Sequence, residues 1–159
     1  MRIAGLIKNS VVNGVGIRDV IFTQGCTHHC KGCHNPHTWS SKGGEEVPVR
    51  DIADQLRSSN NNVTISGGEP LEQIQDVTEL LSELQKQGKD AWLYTGYTFE
   101  NIGMGIWLIL YANGVTVVVD GTFQEDKKDL TLQFRGSSNQ RLIDLEKSLK
   151  AGHVVLWEE

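Results

Sequence analysis

The sequence predicts an α/β fold built on a mainly parallel sheet. Segments of strand and helix character alternate along the chain, the pattern of parallel strands joined by right-handed crossovers. The clearest strand, Val115-Thr116-Val117-Val118-Val119-Asp120, is an apolar run of the kind buried on both faces of such a sheet. Glycines and chemically unusual residues follow several apolar runs, as they do where ligand sites form at strand ends.

Each element has its own justification. Residues 1–13 carry only short apolar runs, broken by Gly5 and Lys8, and are assigned no element. Asp19-Val20-Ile21-Phe22-Thr23 is short and rich in β-branched residues, so a buried strand delivers the chain to Gly25 and Cys26. Pro48 suits a first helical position, and Val49, Ile52, Ala53 and Leu56 recur at helical spacing. Val63-Thr64-Ile65-Ser66 forms a second strand. Behind it, Ile74, Val77, Leu80, Leu81 and Leu84 mark one face of a longer helix that stops near Gly88.

Ala91-Trp92-Leu93-Tyr94 is the next strand. Residues 99–111 are assigned to helix, although Gly103 and Gly105 weaken it. After the strand at 115–120 come a charged loop at 125–129, a short strand near Leu132, a helix carrying Leu142, Leu145 and Leu149, and a last strand at 154–156. No repeat, low-complexity tract or linker divides the chain, so residues 1–159 are expected to form one domain.

Composition narrows the function. The formal net charge is −5, and Lys and Arg are scattered among the acids, so neither a nucleic-acid footprint nor a membrane-binding stripe is expected. No segment has the apolar length of a signal peptide or a membrane span, which places the protein in the cytoplasm. All three cysteines, Cys26, Cys30 and Cys33, fall within eight residues. An odd number of thiols packed this closely points to metal ligands, not to a disulfide framework.

Thiolates are soft ligands that suit zinc, copper(I) or iron–sulfur clusters. Three of them on one loop would leave one iron of a cluster open to an added ligand. The competing arrangement is a Cys3His zinc site completed by His28, His29, His34 or His37. His28 and His29 otherwise read as solvated loop residues.

Gly67-Gly68-Glu69-Pro70 joins a strand to a helix, where paired glycines allow close backbone approach to a ligand. By itself it fits an ordinary turn equally well. Asn13-Gly14-Val15-Gly16 is similarly ambiguous between close approach to a ligand and a turn before the first strand. Arg135-Gly136-Ser137-Ser138-Asn139-Gln140-Arg141 sets two guanidinium groups around small polar residues. That suits a carboxylate, a phosphate or a partner's backbone, or else an exposed loop in which Ser138 caps the last helix.

The combination of Cys26-x3-Cys30-x2-Cys33 after one strand with Gly67-Gly68-Glu69-Pro70 after the next resembles the radical S-adenosylmethionine enzymes. Val12-Asn13-Gly14-x-Gly16-x-Arg18, Cys33-x-Asn35, Thr38-Trp39, Tyr94-Thr95-Gly96-Tyr97, Asp120-Gly121 and residues 135–140 extend the likeness over nearly the whole chain. Within that superfamily they resemble the glycyl-radical-activating enzymes of anaerobic ribonucleoside-triphosphate reductase.

The resemblance implies a minimal, incomplete (β/α) barrel of about five or six parallel strands, open on one side. It implies one [4Fe–4S] cluster held by Cys26, Cys30 and Cys33, with S-adenosylmethionine chelated at the open iron. One electron would cleave that cofactor to methionine and a 5′-deoxyadenosyl radical, which would take a hydrogen atom from a glycine of the reductase's large subunit. Reduced flavodoxin or ferredoxin is the implied donor. Gly32, Cys33 and His34 would lie against adenine, Gly67, Gly68 and Glu69 would receive the methionine amino group, and Thr95 would line the same pocket.

This sequence departs from relatives at His34, where tyrosine is frequent, and at Glu69, where aspartate occurs. Two other functions share parts of the pattern. A radical enzyme acting on a small molecule, such as a deazaguanine-forming synthase, would need more chain to enclose its substrate, and a zinc-binding adaptor would be colourless.

Overall fold

The computed structural model describes residues 1–159. Seven strands form one mixed sheet in the order β3-β1-β2-β4-β5-β6-β7. The strands are β1 (Arg2–Ser10), β2 (Arg18–Thr23), β3 (Glu45–Glu46), β4 (Asn62–Gly67), β5 (Ala91–Tyr94), β6 (Val115–Asp120) and β7 (Arg141–Asp144). The helices are α1 (Val49–Leu56), α2 (Ile74–Lys86), α3 (Met104–Ala112) and α4 (Leu145–Ala151). The α/β class is as expected from the sequence.

The barrel expectation needs correction. Only β2, β4, β5 and β6 are mutually parallel; β1 runs antiparallel to β2 and β3, β7 runs antiparallel to β6, and the sheet ends at β3 and β7 without closing. β1 turns back to β2 through residues 11–17, and β7 follows β6 after residues 121–140, which contain one short 3-10 turn but no crossover helix.

One row of side chains shows how the core is organised. Ile21, Ile65, Leu93, Val118 and Ile143 lie opposite one another across five neighbouring strands. All five are fully buried in the same apolar cluster as Ile52 and Leu56 of α1, Val77, Leu80, Leu81 and Leu84 of α2, and Trp107 and Leu110 of α3. The helices therefore cover this face. Alternate residues point the other way, and there Trp92, Val117 and Val119 form a small cluster with Tyr94, Phe134, Leu142 and Trp157. No helix is long and apolar enough to cross a membrane.

Several local assignments also change, among them the helix expected over 99–111, which starts only at Met104 after a separate 3-10 turn at Phe99–Asn101 and an extended Gly103. Residues 2–10 form β1, an edge-side strand with much of its length half-exposed, so no apolar run announces it. Asn13 and Gly14 accordingly belong to the turn between β1 and β2. Leu142 lies in β7, and α4 begins only at Leu145, capped by Asp144, whose carboxylate accepts the Lys147 N–H at 2.9 Å; Ser138 does not cap it. There is no strand near Leu132, and residues 154–156 supply only one bridge, Leu156 to Ile143.

Candidate functional site

The cysteine loop is anchored before any ligand is considered. Gln24 donates through Nε2 to the carbonyls of His37 at 2.9 Å and Ser40 at 2.7 Å, while the Gly25 and Cys26 N–H groups bond the carbonyls of Thr38 and Trp39. The Thr27 hydroxyl and N–H both donate to Glu72 Oε1. These bonds close residues 24–40 into a loop at the C-terminal end of β2. Within it Cys26, Cys30 and Cys33 are free thiols, each half-buried.

All three line one cavity of about 750 Å³, within the ordinary range for ligand pockets. Its walls also include Ser66, Gly67 and Gly68 at the end of β4, Thr95 and Gly96 after β5, and Gly121 after β6. The expectation that strand ends gather one site therefore holds for these positions. Asn13, His34 and Thr38-Trp39 line it as well. Gly32 does not: it is exposed, against Glu125.

Burial pushes the Cys26 thiol above its usual range, opposed by the N–H groups of His28 and His29. Burial likewise raises Cys30, opposed by the Phe123 N–H. Binding a metal centre here must therefore release protons.

The paired glycines have a reason that sequence reasoning missed. A Cβ at Gly68 would lie 2.3 Å from the Gly25 carbonyl oxygen, and one at Gly67 would lie 2.2 Å from the Thr23 nitrogen. Gly68 N–H bonds the Thr23 carbonyl and Glu69 N–H bonds the Gly25 carbonyl, at 2.9 and 2.8 Å. The close approach is thus to the protein's own cysteine loop, and the two motifs form one seam.

Glu69 is fully buried and does not line the cavity. Its carboxylate accepts from His28 Nε2 at 2.7 Å, Thr95 Oγ1 at 2.9 Å, Gly96 N at 2.7 Å and Leu71 N at 3.0 Å. With every oxygen engaged, it holds the wall from behind. His28 is correspondingly not a solvated residue: the Glu69 bond raises its pKa above the ordinary 6.5. His29 is exposed but stacks on Trp39, centroids 4.5 Å apart, and His34 meets the edge of Phe123 at 5.1 Å.

The segment at 135–140 is a self-braced loop. Gln140 Oε1 accepts the N–H groups of Gly136 and Ser137, its Nε2 donates to the Gly121 carbonyl, and Asn139 Nδ2 donates to the Thr122 carbonyl. Arg141 forks onto both oxygens of Asp120 and both of Glu100. Asp120 also accepts the Phe99 N–H, so it ties strand ends together beside a second, polar cavity of about 580 Å³ that His28 and Gly96 share with the first.

The donor set fits an iron–sulfur cluster: three free thiols line the cavity, and its one acidic lining residue, Asp129, accepts from Thr131. No three His, Cys, Asp or Glu side chains stand close enough to share one ion, and thiols gripping separate corners of a cluster need not converge so. Of the four histidines a Cys3His site would draw on, His28 has its Nε2 committed to Glu69.

Comparison with known proteins agrees with this chemistry. A family model described as a 4Fe-4S single cluster domain matches residues 12–143. Curated proteins named anaerobic ribonucleoside-triphosphate reductase-activating protein are similar over most of their length. The one from Salmonella typhi is 36% identical over 140 residues, 82% of this chain and 90% of that one. The one from Escherichia coli (strain K12) is 35% identical over 141 residues with the same coverage. The one from Enterobacteria phage T4 is 37% identical over 139 residues, 82% of this chain and 86% of that one.

Proposed function

Because the chain belongs to the family of anaerobic ribonucleoside-triphosphate reductase-activating proteins and carries a 4Fe-4S single cluster domain, we propose that it activates such a reductase by radical S-adenosylmethionine chemistry. The observation that carries this reading is the convergence of Cys26, Cys30 and Cys33 with Gly67, Gly68 and Thr95 on one cavity. Residues 1–159 act as one domain in this reading.

Cys26, Cys30 and Cys33 would hold the cluster, which when bound and reduced would supply the one electron for cleaving S-adenosylmethionine to methionine and the 5′-deoxyadenosyl radical that would take a hydrogen atom from a glycine of the reductase large subunit. The chain's own residues bind and shield. The backbone of Gly67 and Gly68 faces the amino group, with Glu69 fixing that wall through Thr95 and Gly96; Cys33 and His34 sit on the adenine side. Reduced flavodoxin or ferredoxin supplies the electron.

A protein substrate is supported by the cavity's lips. Val11 and Val12 on the β1–β2 turn and Leu130 on the facing loop line it yet are 65%, 68% and 85% exposed. Apolar residues placed so gain cover when a partner closes the opening, which also excludes water from radical chemistry.

The test is anaerobic reconstitution and reduction, addition of S-adenosylmethionine and the reductase, and electron paramagnetic resonance. A glycyl doublet with matching 5′-deoxyadenosine is the expected result. Cofactor cleavage without a doublet would remove the reductase as substrate, and neither signal from an iron-loaded sample would remove the catalytic reading.

A further inference from the structure

We infer that the outer face of the cysteine loop is the docking surface for an acidic one-electron carrier protein. This rests on the reading above and deepens it by naming where the electron enters. Between Cys26 and His37 the loop residues fall into two sets. Cys26, His28, Cys30, Cys33, His34 and Asn35 line the cavity. Thr27, His29, Lys31, Gly32, Pro36 and His37 do not, and every one of them is exposed.

The loop is thus one residue thick between the cavity and solvent. Electron transfer slows steeply with distance, so a carrier must approach the four-iron centre where the least protein intervenes. In the reading above, the cavity side is taken by S-adenosylmethionine and the reductase glycine. The outer face leaves a carrier free to approach while both are in place. The transfer balances without a further reagent: the carrier loses one electron, the four-iron centre gains it, and no bond is made or broken.

Charge says which carrier fits. Residues 20–44 contain no Asp or Glu, in a chain that has 20 of them. Lys31, between Cys30 and Cys33, has a side chain 92% exposed, and its ammonium meets only Glu125, at 3.9 Å. So long a pair between exposed groups is worth little. Glu125 and Asp126 are followed by Lys127 and Lys128, all exposed, so that turn adds no net charge. Glu72, the acid on the other flank, accepts from the Thr27 N–H and hydroxyl. Lys31 is therefore the one full charge on the outer face. A small polar patch bearing a cation, unlike the apolar lips Val11, Val12 and Leu130, suits the brief, charge-steered encounters of redox partners.

The experiment is calorimetric titration of an oxidised, acidic flavodoxin into anaerobically reconstituted wild type, Lys31→Glu, Lys31→Gln and Lys86→Glu, with iron content read for each. Lys86 is an exposed lysine of α2 outside the loop, so its reversal makes the same change in net charge. At about 0.1 M salt Lys31→Glu should weaken binding about 3- to 10-fold and Lys31→Gln less, while Lys86→Glu stays within about twofold; at about 1 M salt the differences should vanish. Reduction of the centre by dithionite, which needs no docking surface, should be the same in all four. Equal losses at Lys31 and Lys86 would make the effect one of net charge, and no loss at Lys31, or no binding by wild type, would remove the loop as the docking surface; each overturns the inference. A wild type that dithionite reduces but that cleaves no S-adenosylmethionine would overturn the radical reading, a failure the binding comparison cannot mimic.

Discussion

The two faces of the sheet differ in what their side chains are for. On the helix side, the row Ile21, Ile65, Leu93, Val118 and Ile143 is dry and packed against the helices. On the other side the same strands offer Ser66, Tyr94 and the small Trp92 cluster, and much of the space is cavity. One face holds the chain folded and the other is left unfilled at the strand ends, where ligands bind.

The largest effects should separate the faces. Ile65→Ala, on the packed side, should cost about 2–5 kcal/mol of unfolding free energy in denaturant titrations and still yield a brown four-iron protein. Cys30→Ala should do the reverse: little change in the stability of the metal-free protein, and no full four-iron cluster by iron analysis and absorbance. If Cys30→Ala kept a four-iron cluster, that residue would not be a ligand.

A smaller effect should appear at the seam between the cysteine loop and the glycine turn. Gly68→Val forces a side chain onto the Gly25 carbonyl, an overpacking that should cost about 1–3 kcal/mol. It should also lower iron uptake, because the cysteine loop must shift. Loss of S-adenosylmethionine affinity with stability and iron content untouched would mean that Gly68 faces the ligand alone.

The smallest effect concerns pH. Glu69 raises the pKa of His28 in the folded protein, so this bond's stabilisation is complete below the unfolded value near 6.5 and fades as pH rises through the folded one. Between about pH 6 and 8 the metal-free wild type should lose stability relative to His28→Gln. A difference that stays level across that range would mean the histidine proton is not shared with Glu69.

Legibility in the sequence divided along physical lines. Strands β2, β4, β5 and β6 and helices α1 and α2 are readable because both faces or one stripe are apolar. β1 is not, since an edge-side strand buries little. β7 hides because Leu142, Leu145 and Leu149 keep helical spacing across a strand–helix junction. The thiols are legible as a motif. The His28–Glu69 bond and the Arg141 fork on Asp120 and Glu100 are not, for each depends on which loops become neighbours only after the sheet assembles.

The contact beneath Gly68 bears on how such chains diverge. Most packing conflicts can be relieved by a second substitution that trims the opposing side chain. Here the opposing atom is the Gly25 carbonyl oxygen, which every residue type carries. No change of residue at position 25 removes that oxygen, so descendants can enlarge position 68 only by moving the backbone that brings Cys26 into place.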